Sequence, residues 1–273
     1  MFGQEVTDKR PILPIRAETN KTALGDTKIV SVSPIPAASE SSPASAGLLS
    51  LADRILSPSQ RYLLNITALP TSAGLQQVVR SIGNGTALLV SDGSYFPDTN
   101  EAAFQTILET GDRRHSITIT QRVPGMMDVA DSFRSEATGI TAGNILILVL
   151  CKYFHIAKGR ITQCCDGKAA LKKSSHTWTV RSSEPHHDVL QLNQETIHQL
   201  PRDITIHRKW IKGHADATTH YDKLSRAHQL NILCDAGAKH FARSAAPPAP
   251  TQIKTQHWSI HWGGVRQVHK IAP

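Results

Sequence analysis

"ALLVSDGSYF", residues 87–96, reads as a core strand interrupted by a charge. Residues 87–90 are apolar and suit a buried strand, and Asp92 then follows with a glycine directly after it. A carboxylate at the end of such a strand is costly to desolvate unless a positive group meets it. An isolated Asp-Gly is otherwise an ordinary strand-end turn. The rest of the chain therefore decides what Asp92 is for.

Working outward, "TALLVSD" (86–92), "AAFQTILET" (102–110) and "HSITITQRV" (115–123) read as three successive strands. Turn-like "FPDTN" (96–100) and "TGDRR" (110–114) separate them, and such short connections predict antiparallel neighbours. The period then changes. Asp131 or Ser132 can cap a helix on which Phe133, Ile140, Ile147 and Phe154 mark one face. Its second half is apolar nearly all round, as in a helix buried against a sheet, and Gly139 and Gly143 let a neighbouring backbone come close. Next come "GRITQCCDGKAALKK" (159–173), read as strand, turn and helix, and "HHDVLQLNQETIHQL" (186–200), an amphipathic helix. "DITIHRKWIKGHAD" (203–216) is a strand running into a loop, and "LSRAHQLNILCDAGAKHFAR" (224–243) a last helix. This order predicts an α/β domain with a five-stranded mixed sheet, its strands 1–3 antiparallel, flanked by helices.

The flanks differ in character. Residues 1–47, rich in Pro, Ser, Ala and Thr, have the composition of a disordered linker. Residues 48–85, with apolar positions at helical spacing on either side of Pro58, read as a short helical tether. Residues 86–243 form the expected domain, and 244–273 a basic tail with room for one hairpin. The formal charge of +8 favours polyanionic partners. It is spread unevenly, with 19 Lys/Arg against 16 Asp/Glu over residues 87–243, and three basic groups and no acidic one in the last 30 residues.

Cys151, Cys164, Cys165 and Cys234 show no C-x-x-C spacing, which suits a reducing compartment. The N-terminus has no apolar leader, and the longest apolar run, "ILILVLC" (145–151), is too short to cross a bilayer. A soluble intracellular chain, cytoplasmic or nuclear and without a membrane partner, is expected. His207, His220 and His228 lack zinc-ligand spacing and read as surface residues, and Trp210 reads as packing at a strand edge.

Four acidic residues occupy positions where a packed domain normally places apolar or small ones. Asp92 ends the first strand, Glu136 sits early in the long helix, Asp166 ends the fourth strand, and Asp235 interrupts a core-facing run of the last helix. If the first and fourth strands are neighbours, Asp92 and Asp166 emerge side by side at their carboxyl ends. Like charges that close repel, and a cation offsets the repulsion. Oxygen-only donors suit Mg²⁺ or Mn²⁺ better than zinc.

The segments "SDGS" (91–94), "SFRSEATG" (132–139), "CDGKAAL" (165–171), "WIKGHAD" (210–216) and "LSRAHQLNILCDAGAKHFA" (224–242) carry a resemblance. Over residues 86–243 the chain resembles the ribonuclease H domain of retroelement reverse transcriptases. The resemblance implies a ribonuclease H-like fold and a metal-dependent endonuclease that hydrolyses the RNA strand of RNA/DNA hybrids. It implies two Mg²⁺ (or Mn²⁺) ions held by Asp92, Glu136, Asp166 and Asp235, with Asp92 bridging both. His214 would assist proton transfer or product release. Lys168 and Lys212 would meet phosphates, and the amides around Gly93 and Ser94 would reach the 2′-hydroxyls that distinguish RNA. The partners implied are the hybrid and a reverse transcriptase polymerase domain, although no Tyr/Phe-x-Asp-Asp stretch marks a polymerase site in this chain. The sequence departs from the family at Gly167, where many relatives have Asn.

Two alternatives stand beside this reading. One is a catalytically inactive, retroelement-derived nucleic-acid-binding module, which divalent-metal binding lost on Asp→Asn change would rule out. The other is a different nuclease of the same superfamily, against which the Gly-His loop before the last helix argues.

Overall fold

The computed structural model describes residues 43–125, 130–175, 180, 181, 183–244, 249, 250, 253, 260–262 and 265–267. The linker expected at the N-terminus lies outside them up to residue 42. In chain order the elements are α1 (Pro43–Ile55), α2 (Pro58–Leu63), β1 (Ile66–Ala68), α3 (Ser72–Gly83), β2 (Ala87–Phe96), β3 (Glu101–Glu109) and β4 (Ser116–Arg122). Then follow α4 (Ser132–Phe154), β5 (Lys158–Cys165), α5 (Lys168–Ser174), α6 (His187–His198), β6 (Asp203–Trp210), α7 (Arg226–Ala242), β7 (Ile260–Trp262) and β8 (Val265–Gln267). Strands β7 and β8 pair as an antiparallel hairpin, as the tail sequence allowed.

The main sheet has the order β1-β4-β3-β2-β5-β6. β2, β3 and β4 form the expected antiparallel meander, and β5 and β6 join it in parallel. The mixed α/β class expected from sequence is therefore what the structure shows. The sheet has six strands where five were expected, because β1 adds an edge by pairing with β4. Three residues inside a helical-looking segment carry too little alternation to announce a strand.

Helix α4 is the centre of the fold. Asp131 caps it by accepting the Arg134 amide at 2.7 Å. By length and composition it could span a membrane, but 83% of its most apolar window is buried inside the domain. It lies against β2 and β3, where Thr106 Oγ1 donates to Gly139 O at 2.9 Å, the close approach that the glycine permits. Helices α1, α2, α5 and α6 pack around it. On the opposite face of the sheet α7 crosses β2, β3 and β4, and Val90, Ile107, Cys164, Leu230 and Cys234 form a smaller apolar cluster beneath it.

Two polar devices fix the helices around α4. Arg134, 2% exposed, donates from both terminal nitrogens to Asp188 at 2.9 and 2.7 Å and from Nε to Pro124 O, tying α4 to the start of α6. Deeper in, Asn144 donates to Asn193 and accepts from Gln163, so α4, α6 and β5 share one buried network. Such a network disfavours slipped packings, since a shift would strand its polar atoms. The four cysteines are free and buried.

The helices read before residue 86 are present and pack on the domain that follows, one of the two places that reading allowed. Leu48, Ala52, Leu56, Leu63, Leu75, Val78 and Ile82 belong to the same buried cluster as the apolar face of α4. Amphipathic helices flanking Pro58 were legible, but the surface that their apolar faces meet was not. Because Leu75 is fully buried, Leu75→Ala is expected to lower stability by about 2–5 kcal/mol. A loss below about 0.5 kcal/mol in urea unfolding, as for a surface site, would mean that the segment folds apart from the sheet.

Candidate active site

The site begins with the register of two parallel strands. β2 and β5 pair from Ala87↔Ile161 to Val90↔Cys164, and two residues beyond that last pair stand Asp92 and Asp166. Side chains alternate across a strand, so Asp92 follows Val90, and Asp166 follows Cys164, onto the face covered by α7. The sequence placed Asp92 at a strand end. In the structure β2 runs on to Phe96 against β3, with Asp92 opposite Gln105. Pairing with β5 has ended two residues before Asp92, but pairing with β3 continues through it, so it is a strand residue, 7% exposed, and not a turn residue.

Glu136 reaches the pair from α4, and glycines make the approach possible. A Cβ on Gly93 would collide with the backbone of Ser135 and Glu136, so only glycine lets the helix sit this close to β2. A Cβ on Gly167 would collide with Glu136 Oε2, and one on Gly213 with Asp166 Oδ2. Gly167, the departure from the family pattern, thus leaves room for the Glu136 carboxylate.

Asp235 is carried to the same place by α7. Gln105 Nε2 donates to Leu233 O at 3.1 Å and Cys234 Sγ to Val90 O at 3.4 Å, which holds the helix down on the sheet. Asn231, one turn before Asp235, donates to Asp92 Oδ2 at 2.7 Å. Lys239, one turn after it, donates to Asp235 Oδ2 at 2.7 Å. Sequence reading missed Asn231, Gln105 and Lys239. A signal was present for two of them, because residues four before and four after Asp235 must share its helix face.

The electrostatics follow from this crowding. Burial is the largest influence raising the Asp92 pKa, and the neighbouring charges of Asp166, Asp235 and Glu136 add to it. The Gly93 amide, donating to Asp92 Oδ1 at 2.7 Å, opposes the rise. Burial also raises Asp166, and the Asp235 charge adds to it, while hydrogen bonding and then the His214 charge oppose the rise. Glu136 is pushed up to about 7, first by burial and then by Asp166 and Asp131. Buried carboxyls that raise one another's pKa, with Asp92 acted on by Asp166, Asp235 and Glu136, are an arrangement associated with function more than with packing.

The remaining expected residues take different places. His214 lies in the exposed loop after β6, in a left-handed conformation (φ 50°), close enough to bear on Asp166. Lys212 is exposed in the same loop, and Lys168 is exposed at the start of α5. Ser94 is buried, and the Gly93 amide is engaged by Asp92. Trp210, expected to pack, is 48% exposed, with its Nε1 donating to Asp166 O at 2.8 Å.

Asp92, Glu136, Asp166 and Asp235 offer a set of hard oxygen donors, which fits Mg²⁺ or Mn²⁺. Asp166 Oδ1 is buried without a hydrogen-bond partner, a free donor within the cluster. Among the described residues no three His, Cys, Asp or Glu side chains close on a common point as they stand. Part of the reason is local, since Asn231 and Lys239 already engage Asp92 Oδ2 and Asp235 Oδ2.

No family model matches the chain, and no curated protein is similar to it. Among solved structures, the chain is similar to the N-terminal RNase H domain of Rv2228c from Mycobacterium tuberculosis, solved as a fusion with maltose-binding protein. That likeness has 16% identity and a TM-score of 0.35, covering 54% of this chain and 96% of the other. It is also similar to RNase H1 from the halophilic archaeon Halobacterium salinarum NRC-1, with 18% identity and a TM-score of 0.36, covering 56% of this chain and 95% of the other.

The raised carboxyls make stability depend on pH in a stated direction. The fold favours neutral Glu136, so its stabilising contribution is full below the ordinary value of 4.5 and is lost as pH rises through about 7. Asp92, raised as well, extends the loss upward. In chelator, the melting temperature should fall between about pH 5 and about pH 8, and Glu136→Gln should flatten that fall. Mg²⁺ at the upper pH should restore the wild type more than the variant. A pH-independent melting temperature would contradict this account of the cluster.

Proposed function

We propose that the chain is a metal-dependent endonuclease hydrolysing the RNA strand of RNA/DNA hybrids, the ribonuclease H portion of a retroelement polyprotein. The observation that carries this reading is the gathering of Asp92, Glu136, Asp166 and Asp235 just beyond the last paired residues of β2 and β5. They match, residue by residue, the acidic positions of the sequence segments that resemble that family. Asp92, Glu136, Asp166 and Asp235 would hold two Mg²⁺ or Mn²⁺ ions. When bound, such ions supply an activated water and stabilise the leaving 3′-oxygen of a phosphodiester.

The protein's own groups have separate tasks. Before a cation binds, Asn231 and the Gly93 amide each satisfy one oxygen of Asp92, and the Gly93 amide stays on Oδ1 when the cation takes Oδ2. His214, exposed and near enough to influence Asp166, would carry a proton to or from an oxygen of the cleaved phosphate. Lys212 and Lys168, both exposed, would neutralise strand phosphates, which position a duplex without reading its sequence. A polymerase domain as partner, and an intracellular setting, belong to the same proposal.

One observation favours a second reading. Asp235 is held by Lys239, and no three ligands close on one point among the described residues, as in an inactive nucleic-acid-binding module. A gel assay on a uniformly labelled RNA/DNA hybrid in Mg²⁺ separates the two. The wild type should cut the RNA strand internally, leaving duplex DNA and single-stranded RNA intact. Asp166→Asn should lower the rate by more than the roughly 100-fold expected for losing an outer partner. A folded wild type that binds the hybrid without cutting it in Mg²⁺ or Mn²⁺ would establish the inactive module.

A further inference from the structure

Trp210 is an exposed aromatic placed beside the acidic cluster with a cation against its face. It is the last residue of β6, opposite Cys165 in the parallel register, and 48% of it is exposed. Its indole edge is fixed by the 2.8 Å bond from Nε1 to Asp166 O, and the chain just beyond it by the bond from Ile211 N to Cys165 O. Lys168 Nζ stands 5.8 Å from the ring centroid, within the range of a cation–π contact. The indole is therefore held in place by the backbone of one of the four carboxylate residues, with its ring open to solvent.

We infer that Trp210 and Lys168 together form a contact surface for the sugar-phosphate backbone of the strand being cut. This rests on the proposed reading of the site as one for RNA/DNA hybrids. The chemistry selects the partner. A duplex hides its base faces but presents sugars and phosphates in alternation across a wide, shallow minor groove. A flat apolar face beside an ammonium matches one sugar and the next phosphate. An acidic peptide would gain from Lys168 but has no ring-sized apolar face at fixed spacing from its charge. The bond to Asp166 O gives the contact its purpose: whatever seats against the indole is positioned relative to Asp166. Trp210 and Lys168 are positioning residues, since neither reaches the cleaved bond.

The test is hybrid binding by the full chain in Ca²⁺, read by anisotropy of a labelled RNA/DNA duplex over a salt series. Cleavage by the wild type in Mg²⁺ is run in parallel. Trp210→Ala should weaken binding by roughly three- to tenfold, as expected for losing a few tens of Å² of apolar contact, at every salt concentration. Lys168→Met should instead lower the slope of log K against log salt by about one, the signature of one lost phosphate contact. Trp210→Phe, which keeps a ring and loses the indole N–H, should bind nearly as the wild type does while its cleavage positions along the RNA scatter. If Trp210→Ala loses its fold, the Lys168→Met slope and the Trp210→Phe cleavage pattern decide. Folded variants that bind with wild-type affinity and slope, beside a wild type that cuts, would overturn the contact surface and leave the proposed function standing. Variants that weaken binding as stated, beside a wild type that does not cut, would support the contact surface and overturn the proposed activity. A wild type that binds no hybrid would overturn both.

Discussion

The parallel pairing of β2 with β5 is the constraint on which the site depends. Once Val90 faces Cys164, the next outward-turning position on each strand is a carboxylate, and the two cannot avoid one another. Everything nearby accommodates that fact. α7 brings the Asn231 amide to one oxygen of Asp92, and the chain's own Gly93 amide covers the other. Gly93 lets the α4 backbone sit close to β2, and Gly167 leaves room for the Glu136 carboxylate. A packed core gains nothing from holding four acids together, because each raises the cost of ionising the next. The fold bears this cost at one end of its sheet and nowhere else in the described residues to the same degree.

The rest of the architecture keeps that end of the sheet rigid. Arg134 locks the beginning of α4 to α6 two residues before Glu136, so the carboxylate is presented from a helix that cannot easily turn. The Asn144–Asn193–Gln163 network does the same further along α4. On the other face, Arg226 pairs with the buried Glu109 and anchors the start of α7, while Arg122 donates to Ala242 O and Ser244 O at its end. A site built on pinned helices and a central strand holds its geometry better than one carried on loops. His214 is the exception, in an exposed loop, which suits a group that must move a proton and then leave.

Much of this was legible because the sequence changes period where the structure changes element. The meander of β2, β3 and β4 and the long helix α4 could be read from alternation giving way to a 3.6-residue repeat. Asp92 and Asp166 stood out because each follows apolar or small residues and precedes a glycine. What was hidden depends on partners distant in sequence. β1 is three residues long and is a strand only because β4 has an open edge for it. The helices before residue 86 showed apolar faces without showing that these join the core around α4. Asn231 and Lys239 looked like ordinary helix residues until Asp92 and Asp235 were in place. Trp210 resembled any strand-edge aromatic, and its exposure follows from β6 being the last strand of the sheet.

The central claim is that Asp92 and Asp166 are brought together to share a divalent cation, and anomalous diffraction from crystals grown in Mn²⁺ tests it most directly. The account predicts an anomalous peak between the two carboxylates, with oxygen ligands at about 2.0–2.4 Å. Asn231 would then have released Asp92 Oδ2. No peak at the cluster, with Asn231 and Lys239 still bonded to Asp92 and Asp235, would contradict it.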